Sequence, residues 1–213
     1  MISVKKFTFN PFQENTYLLH DETKQCVIID PGCYEPHEEE ELSDFIKDNG
    51  LTVSKLLSTH SHIDHVLGNK FVMEKFGVEL SLHPKDLETL TSVETYAATY
   101  GFMNYKPCAA PTHFLKEGET VSFGNSELEI RFVPGHAPGH VVFVAHQEKF
   151  VINGDCLFHG SIGRTDLPGG DHQTLLDSIQ RELFTLPSEC VVYCGHGPET
   201  TIGNEKLHNP FLK

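Results

Sequence analysis

The sequence predicts a mixed α/β fold in which β-sheets are covered by helices. Three observations carry this. Short runs rich in β-branched and aromatic residues alternate with amphipathic stretches of helical period. Several strand-like runs follow one another directly, as antiparallel neighbours do, so the sheets are expected to be mixed. The 213 residues contain no internal repeat, low-complexity tract or linker. That suits a single domain over residues 1–213 with a sizeable core.

The elements follow in order. "SVKKFTF", "TYLLH" and "QCVIID" read as three strands, separated by polar and turn residues. Asp30-Pro31-Gly32 is a turn, in which Pro presets φ and Gly relaxes the backbone. Residues 36–49 predict a helix: Leu42, Phe45 and Ile46 share a face, and Gly50 stops it. Its acidic block, Glu38 to Glu41, reads as a solvated helix start complementing the dipole. "VSKLLS" is the next strand, followed by a helix over 69–76 and the strand "VELSL". Residues 84–112 predict one or two short helices broken by "KPCAAP". "TVSF", "LEIRFV", "HVVFVAH" and "KFVIN" are strands. A helix over 172–184 carries Leu175, Leu176, Ile179 and Leu183 on one stripe, and "CVVYCG" is the last strand.

Composition excludes several classes. The chain has 16 basic against 30 acidic residues, a formal net charge of −14. No basic stripe is available for nucleic acid or an anionic membrane surface. No apolar stretch reaches the ~20 residues of a membrane span, and the N-terminus lacks the apolar core of a signal peptide. The six cysteines form no CxxC pair and lie in apolar runs, which fits reduced, buried thiols. A cytoplasmic protein is expected.

The chemistry concentrates in "STHSHIDHVLGN", Ser58 to Asn69. His60, His62, Asp64 and His65 fall within six residues just past a strand. The i, i+2 spacing is wrong for one helix face. In a loop, the four side chains can splay around more than one ion. Imidazole with carboxylate suits Zn, Fe or Mn better than Ca or Mg. Three more candidates each follow an apolar strand and sit beside glycine: His136 in "FVPGHAPGH", Asp155 in "FVINGDCLF" and His196 in "VVYCGHGPE". Five histidines and two aspartates are enough for two divalent ions with open positions.

This pattern, HxHxDH at 60–65 followed by "PGH", "GD" and "CGHG", resembles the metallo-β-lactamase superfamily. "GSIGRTDLPGGD" at 160–171 and "GHGPETTIGNE" at 195–205 are similar to short, single-domain hydrolases of its glyoxalase II (hydroxyacylglutathione hydrolase) branch. The likeness runs from "FQENTYLL" to "HNPF". It implies a four-layer αββα sandwich of two mixed sheets with the metals at one edge. It implies that His60, His62 and His136 hold one ion and Asp64, His65 and His196 the other, with Asp155 bridging. The two ions would be zinc, with iron or manganese as the alternatives.

The resemblance implies a dinuclear metallohydrolase acting on a small-molecule thioester, S-lactoylglutathione or a related acyl-thiol. A metal-bridging hydroxide would attack the carbonyl, with Asp155 and Asp64 as the catalytic carboxylates. A lactone needs the same machinery. The β-lactamase branches lack the bridging aspartate. Persulfide dioxygenases also resemble this branch, including "GRTD", and would hold one Fe(II) at His60, His136 and Asp155. A non-catalytic metal module is a third reading, although structural zinc sites close with four ligands. Full-length glyoxalase II enzymes carry a C-terminal helical domain that helps to bind glutathione; none is expected after Lys213, so the thiol carrier is left open.

Other residues carry weaker expectations. Tyr96, Tyr100, Phe102 and Tyr105 either line a lid over the substrate or only pack the 84–112 segment. Arg164 either positions substrate or pairs with Asp166 to hold its loop, the second being preferred. Asp30 is a candidate partner for the second ring nitrogen of a ligating histidine. His140, four residues past His136, either supports a ligating residue or simply begins the next strand, the second being preferred, and Cys156 is read as core.

Overall fold

A computed structural model describes all 213 residues. Two six-stranded mixed sheets stack face to face. The first runs in the order β1 (Ser3–Phe9), β2 (Glu14–His20), β3 (Gln25–Ile29), β4 (Thr52–Leu57), β5 (Leu80–Leu82) and β6 (His113–Phe114). β1 to β3 pair antiparallel and β3 to β6 parallel. The second sheet contains β7 (Thr120–Phe123), β8 (Ser126–Phe132), β9 (Val141–Ala145), β10 (Phe150–Gly154), β13 (Val191–Cys194) and β14 (Thr200–Thr201). Its only parallel pair is β10 with β13. A small hairpin, β11 (Leu157–Phe158) with β12 (Ser161–Ile162), lies between them in sequence.

Period-2 alternation builds the layers. Tyr17 and Leu19 of β2, and Val141, Phe143 and Ala145 of β9, pack in the core between the sheets. Their neighbours point outward. Leu18 meets α1 (Pro36–Asp48), α3 (Asn69–Phe76) and α4 (Leu87–Tyr96) through Leu42, Ile46, Val72, Leu90 and Val93. Val142 and Val144 meet α5 (His172–Ser178) and α6 (Ile202–His208) through Leu175 and Ile202. The result is the αββα sandwich. No helix is long and apolar enough to cross a membrane.

The structure departs from the sequence reading at several points. The helix expected over 172–184 passes into a π-helical turn, Ile179–Leu183, while Leu175, Ile179 and Leu183 stay on one buried face. The 84–112 segment forms α4 flanked by two 3-10 turns, Pro84–Asp86 and Ala97–Tyr100. The acidic block at the start of α1 is not wholly solvated. Glu38 is buried and accepts the backbone N–H groups of Asn10 (2.6 Å), Tyr34 (2.7 Å) and Glu35 (3.0 Å). Periodicity could not show this, because its partners at 10 and 34 belong to loops.

Candidate metal centre

The seven candidate donors converge at one edge of the sandwich, each delivered by a strand end. β4 runs out at Leu57, and the loop that follows is pinned from below. Asp30 accepts the Thr59 N–H (2.7 Å) and the Thr59 hydroxyl. The same hydroxyl lies 3.1 Å from His60 Nδ1, which turns His60 Nε2 toward the cluster. The loop is shorter than expected. It ends at His62, the N-cap of a one-turn helix, α2 (Ile63–Val66), so Asp64 and His65 are helical. The turn brings Asp64 and His65 toward His196 and leaves His60 and His62 beside His136, giving two sets, although the His60 and His65 rings stay 4.2 Å apart.

In the first set, His136 Nε2 lies 2.9 Å from His62 Nδ1 and 3.3 Å from His60 Nε2. In the second, His196 Nε2 lies 3.1 Å from Asp64 Oδ2, and His65 Nε2 lies 3.7 Å from the same oxygen. Asp155 sits between the sets. Its Oδ2 is 3.7 Å from His136 Nε2 and 3.4 Å from His196 Nε2, while Oδ1 is 3.4 Å from His65 Nε2.

The outer nitrogens of His65, His136 and His196 are engaged elsewhere. His136 Nδ1 donates to the Arg164 carbonyl (2.7 Å) and His196 Nδ1 to the Phe12 carbonyl (3.1 Å). His65 Nδ1 meets Asp30 Oδ2 at 3.3 Å, with Glu14 Oε1 at 3.7 Å. Such contacts fix the tautomer and aim the other nitrogen inward. Asp30 therefore takes the orienting role considered for it. Glu14, fully buried, was not anticipated; "FQEN" gave no sign that it would sit behind His65.

The donor chemistry fits a cation. Burial lowers the pKa of His60, His62 and His136, His62 to about 3, so these rings face one another neutral. Opposed imidazole lone pairs repel unless a cation or proton lies between them. Burial also works against charge on His65 and His196, but Asp155 and Asp64 outweigh it, and His196 rises to about 10. In return, burial raises the two carboxylates, while His65 and His196 bring both below their usual value. His65 Nε2 and Asp155 Oδ1 are buried without a hydrogen-bond partner. Such orphans cost about 1–3 kcal/mol each, and a cation would use both.

His140 does more than begin β9. It is fully buried, stacks on His60 (4.8 Å, 22°), and its Nε2 accepts the Asp155 N–H (3.1 Å). It thus holds the backbone that carries Asp155. Its partner is 15 residues away, so "PGHAPGH" alone could not reveal the contact. A Cβ at Gly195 would strike the Asp155 carboxylate and the His65 ring, so the chain can approach the centre there only as glycine.

The substrate candidates separate. Arg164 is exposed and forms a bidentate pair with Asp166 (2.7 and 2.8 Å); only its carbonyl reaches the site. Phe102 is buried and Tyr105 packs against the helix-side core of the first sheet, so neither lines a lid. Tyr96 is half-buried and Tyr100 exposed, their rings 5.7 Å apart.

Two helix-covered sheets presenting two neighbouring donor sets at one edge define a metal-binding architecture. The family model for the metallo-beta-lactamase superfamily matches residues 9–196, and the chain belongs to that superfamily. It is 40% identical to the hydroxyacylglutathione hydrolase GloC of Haemophilus influenzae over 202 residues, 94% of this chain and 93% of that protein. Two solved structures are similar over nearly their whole length. BLEG-1 B3 metallo-beta-lactamase has a TM-score of 0.89 at 36% identity, covering 99% of this chain and 100% of that one. TTHA1623 in a di-iron-bound form has a TM-score of 0.88 at 39% identity, covering 98% and 100%.

Proposed function

We propose that the protein is a dinuclear metallohydrolase of the glyoxalase II type that cleaves a small-molecule thioester. The observation that carries this is the position of Asp155, one oxygen of which lies within 3.7 Å of a histidine from each donor set. His60, His62 and His136 would hold one ion and Asp64, His65 and His196 the other, with Asp155 shared. When bound, the ions supply hydroxide at neutral pH and positive charge beside the developing oxyanion.

The chain's own groups do the rest. Asp64 and Asp155 are ionised and would orient the attacking water by accepting its hydrogens. Attack at the thioester carbon forms the new C–O bond and breaks the C–S bond. The sulfur leaves as a thiolate with little need of a proton, since the pKa of a free thiol is about 8.5. No side-chain nucleophile takes part. The same groups serve a lactone, whose alkoxide leaves less readily.

The test is anaerobic hydrolysis of S-lactoylglutathione by zinc-loaded protein, followed by loss of thioester absorbance. Turnover that disappears with chelator supports the reading. Hydrolysis confined to a β-lactam, or oxygen uptake on a persulfide by iron-loaded protein, would replace it.

A further inference from the structure

β10 does not run straight into Asp155. Its register against β13 slips between Ile152 and Gly154, and Gly154 turns with a φ of +52°. A Cβ at Gly154 would strike Thr59 Oγ1 and His140 Nε2. Bulges re-aim the side chains beside them, and the residue re-aimed here is Asp155. A closed circuit of three fully buried side chains, Asn153, Cys156 and His140, holds the bulge. The Asn153 amide donates to the Leu157 carbonyl (2.7 Å) and the Gly154 carbonyl (3.2 Å), so it spans the turn. Cys156 Sγ donates to the Asn153 carbonyl (3.0 Å), with Asn153 Oδ1 at 3.3 Å. The same sulfur lies 3.8 Å from His140 Nδ1 and is its single hydrogen-bond partner. His140 Nε2 accepts the Asp155 N–H (3.1 Å), which closes the circuit.

Donor chemistry gives the circuit a direction. A nitrogen that accepts an N–H carries no proton, so the neutral His140 ring holds its proton on Nδ1. Nδ1–H then points at the Cys156 sulfur. Sulfur is a weak acceptor, but a buried N–H with no acceptor at all is costly. In the other tautomer Nε2–H would face the Asp155 N–H, donor against donor. We propose that Cys156 and Asn153 are positioning residues for Asp155: the sulfur fixes the His140 tautomer that accepts the Asp155 N–H, and the Asn153 amide holds the turn that carries both. The consequence for metal rests on the two-ion reading above, in which this carboxylate is shared. Cys156 lies in the core, as its apolar run suggests, but its sulfur is oriented as well as packed. Cys190 offers the contrast. It is buried in the same cluster, and its sulfur meets only the Val191 carbonyl, at 3.9 Å, and no histidine.

The experiment reads the His140 tautomer directly, by two-bond proton–nitrogen correlation on zinc-loaded protein labelled at histidine nitrogen. Wild type, Cys156→Ala, Cys156→Ser, Asn153→Ala and Cys190→Ala are compared, with His140→Gln to assign the signals. Zinc affinity is measured by competition with a chelator, and zinc content by atomic absorption. Wild type is expected to show the proton on His140 Nδ1. Cys156→Ala is expected to show mixed tautomers and a zinc affinity lower by roughly three- to tenfold, less than the ~10–100-fold lost with a partner that touches a ligand itself. Cys156→Ser, which keeps an acceptor and a donor, should stay near wild type. Asn153→Ala should lower the affinity at least as far as Cys156→Ala. Cys190→Ala should leave both tautomer and affinity unchanged. A wild-type proton on Nε2, an unaltered tautomer and affinity in Cys156→Ala, or an equal loss in Cys190→Ala would overturn the proposal. A single zinc in wild type, with a tautomer that still depends on Cys156, would overturn the two-ion reading and keep the positioning role.

Discussion

At the scale of single residues, the centre depends on its shared carboxylate and on side chains that would never touch a metal. Asp155→Ala removes the carboxylate shared by the two sets. It should abolish turnover and reduce bound metal, measured by atomic absorption; full activity in that variant would sink the two-ion reading. His140→Ala removes the acceptor of the Asp155 N–H and the ring stacked on His60. Loss of an orienting partner costs roughly 10–100-fold in metal affinity, and competition with a chelator should show that range. An unchanged affinity would make His140 ordinary core. Such supporting residues were the least legible part of the sequence. His60, His62, Asp64 and His65 announce themselves by density, and His136, Asp155 and His196 by glycine at a strand end. Glu14 carries no local signal and His140 only its spacing from His136, because each acquires its role from a partner that only the tertiary fold brings near.

Among the elements, local period determined what could be read. The longer strands, α1, α3 and α5 with its π-helical continuation to Leu183 have buried faces long enough to show alternation or helical stripes, and the structure places them within a few residues of expectation. α2 is four residues long and α6 seven, too short for a pattern. β11, β12 and β14 have two residues each and form only because neighbours accept them. Glu38 was misjudged because an acidic residue at a helix start looks the same whether solvated or buried. Glu38→Ala strands three backbone donors and should cost about 2–4 kcal/mol, a fall in melting temperature of roughly 5–15 °C for a chain of this size. Glu38→Gln, which keeps one acceptor, should lose about half as much.

A second element-scale prediction concerns Asp21, which joins the β2–β3 turn to the β7–β8 turn. Burial works against its charge. Hydrogen bonds from Thr23, Asn125 and Ser126 overcome this and hold its pKa at about 2, below the ordinary carboxylate value. A depressed folded-state pKa gives stability above the unfolded value near ~3.9 that is lost as pH falls toward the folded one. Thermal melts should therefore show Asp21→Asn less stable than wild type at pH 7, with the gap closing between about pH 4 and pH 2. A gap independent of pH would assign the effect to shape alone.

For the whole molecule, bound metal should be a principal stabiliser, since five histidines and two carboxylates crowd one edge of an already acidic chain. Stripping with chelator should lower the melting temperature, and adding zinc back should restore it in a concentration-dependent way. A melt indifferent to chelator would mean that the donors are satisfied without an ion. The stitching of the two sheets has a further consequence, one of timing. The Asn15 side-chain amide donates to the carbonyls of Cys194 and Gly197, 179 and 182 residues away, and the Tyr17 hydroxyl donates to the Cys194 carbonyl, 177 residues away. Contacts between such distant segments form late. On a ribosome, His60, His62 and His136 emerge well before His196, so the nascent chain can complete only one of its two donor sets. On the two-ion reading, a second ion would enter only once synthesis has almost ended, when the first strands of the protein meet the last.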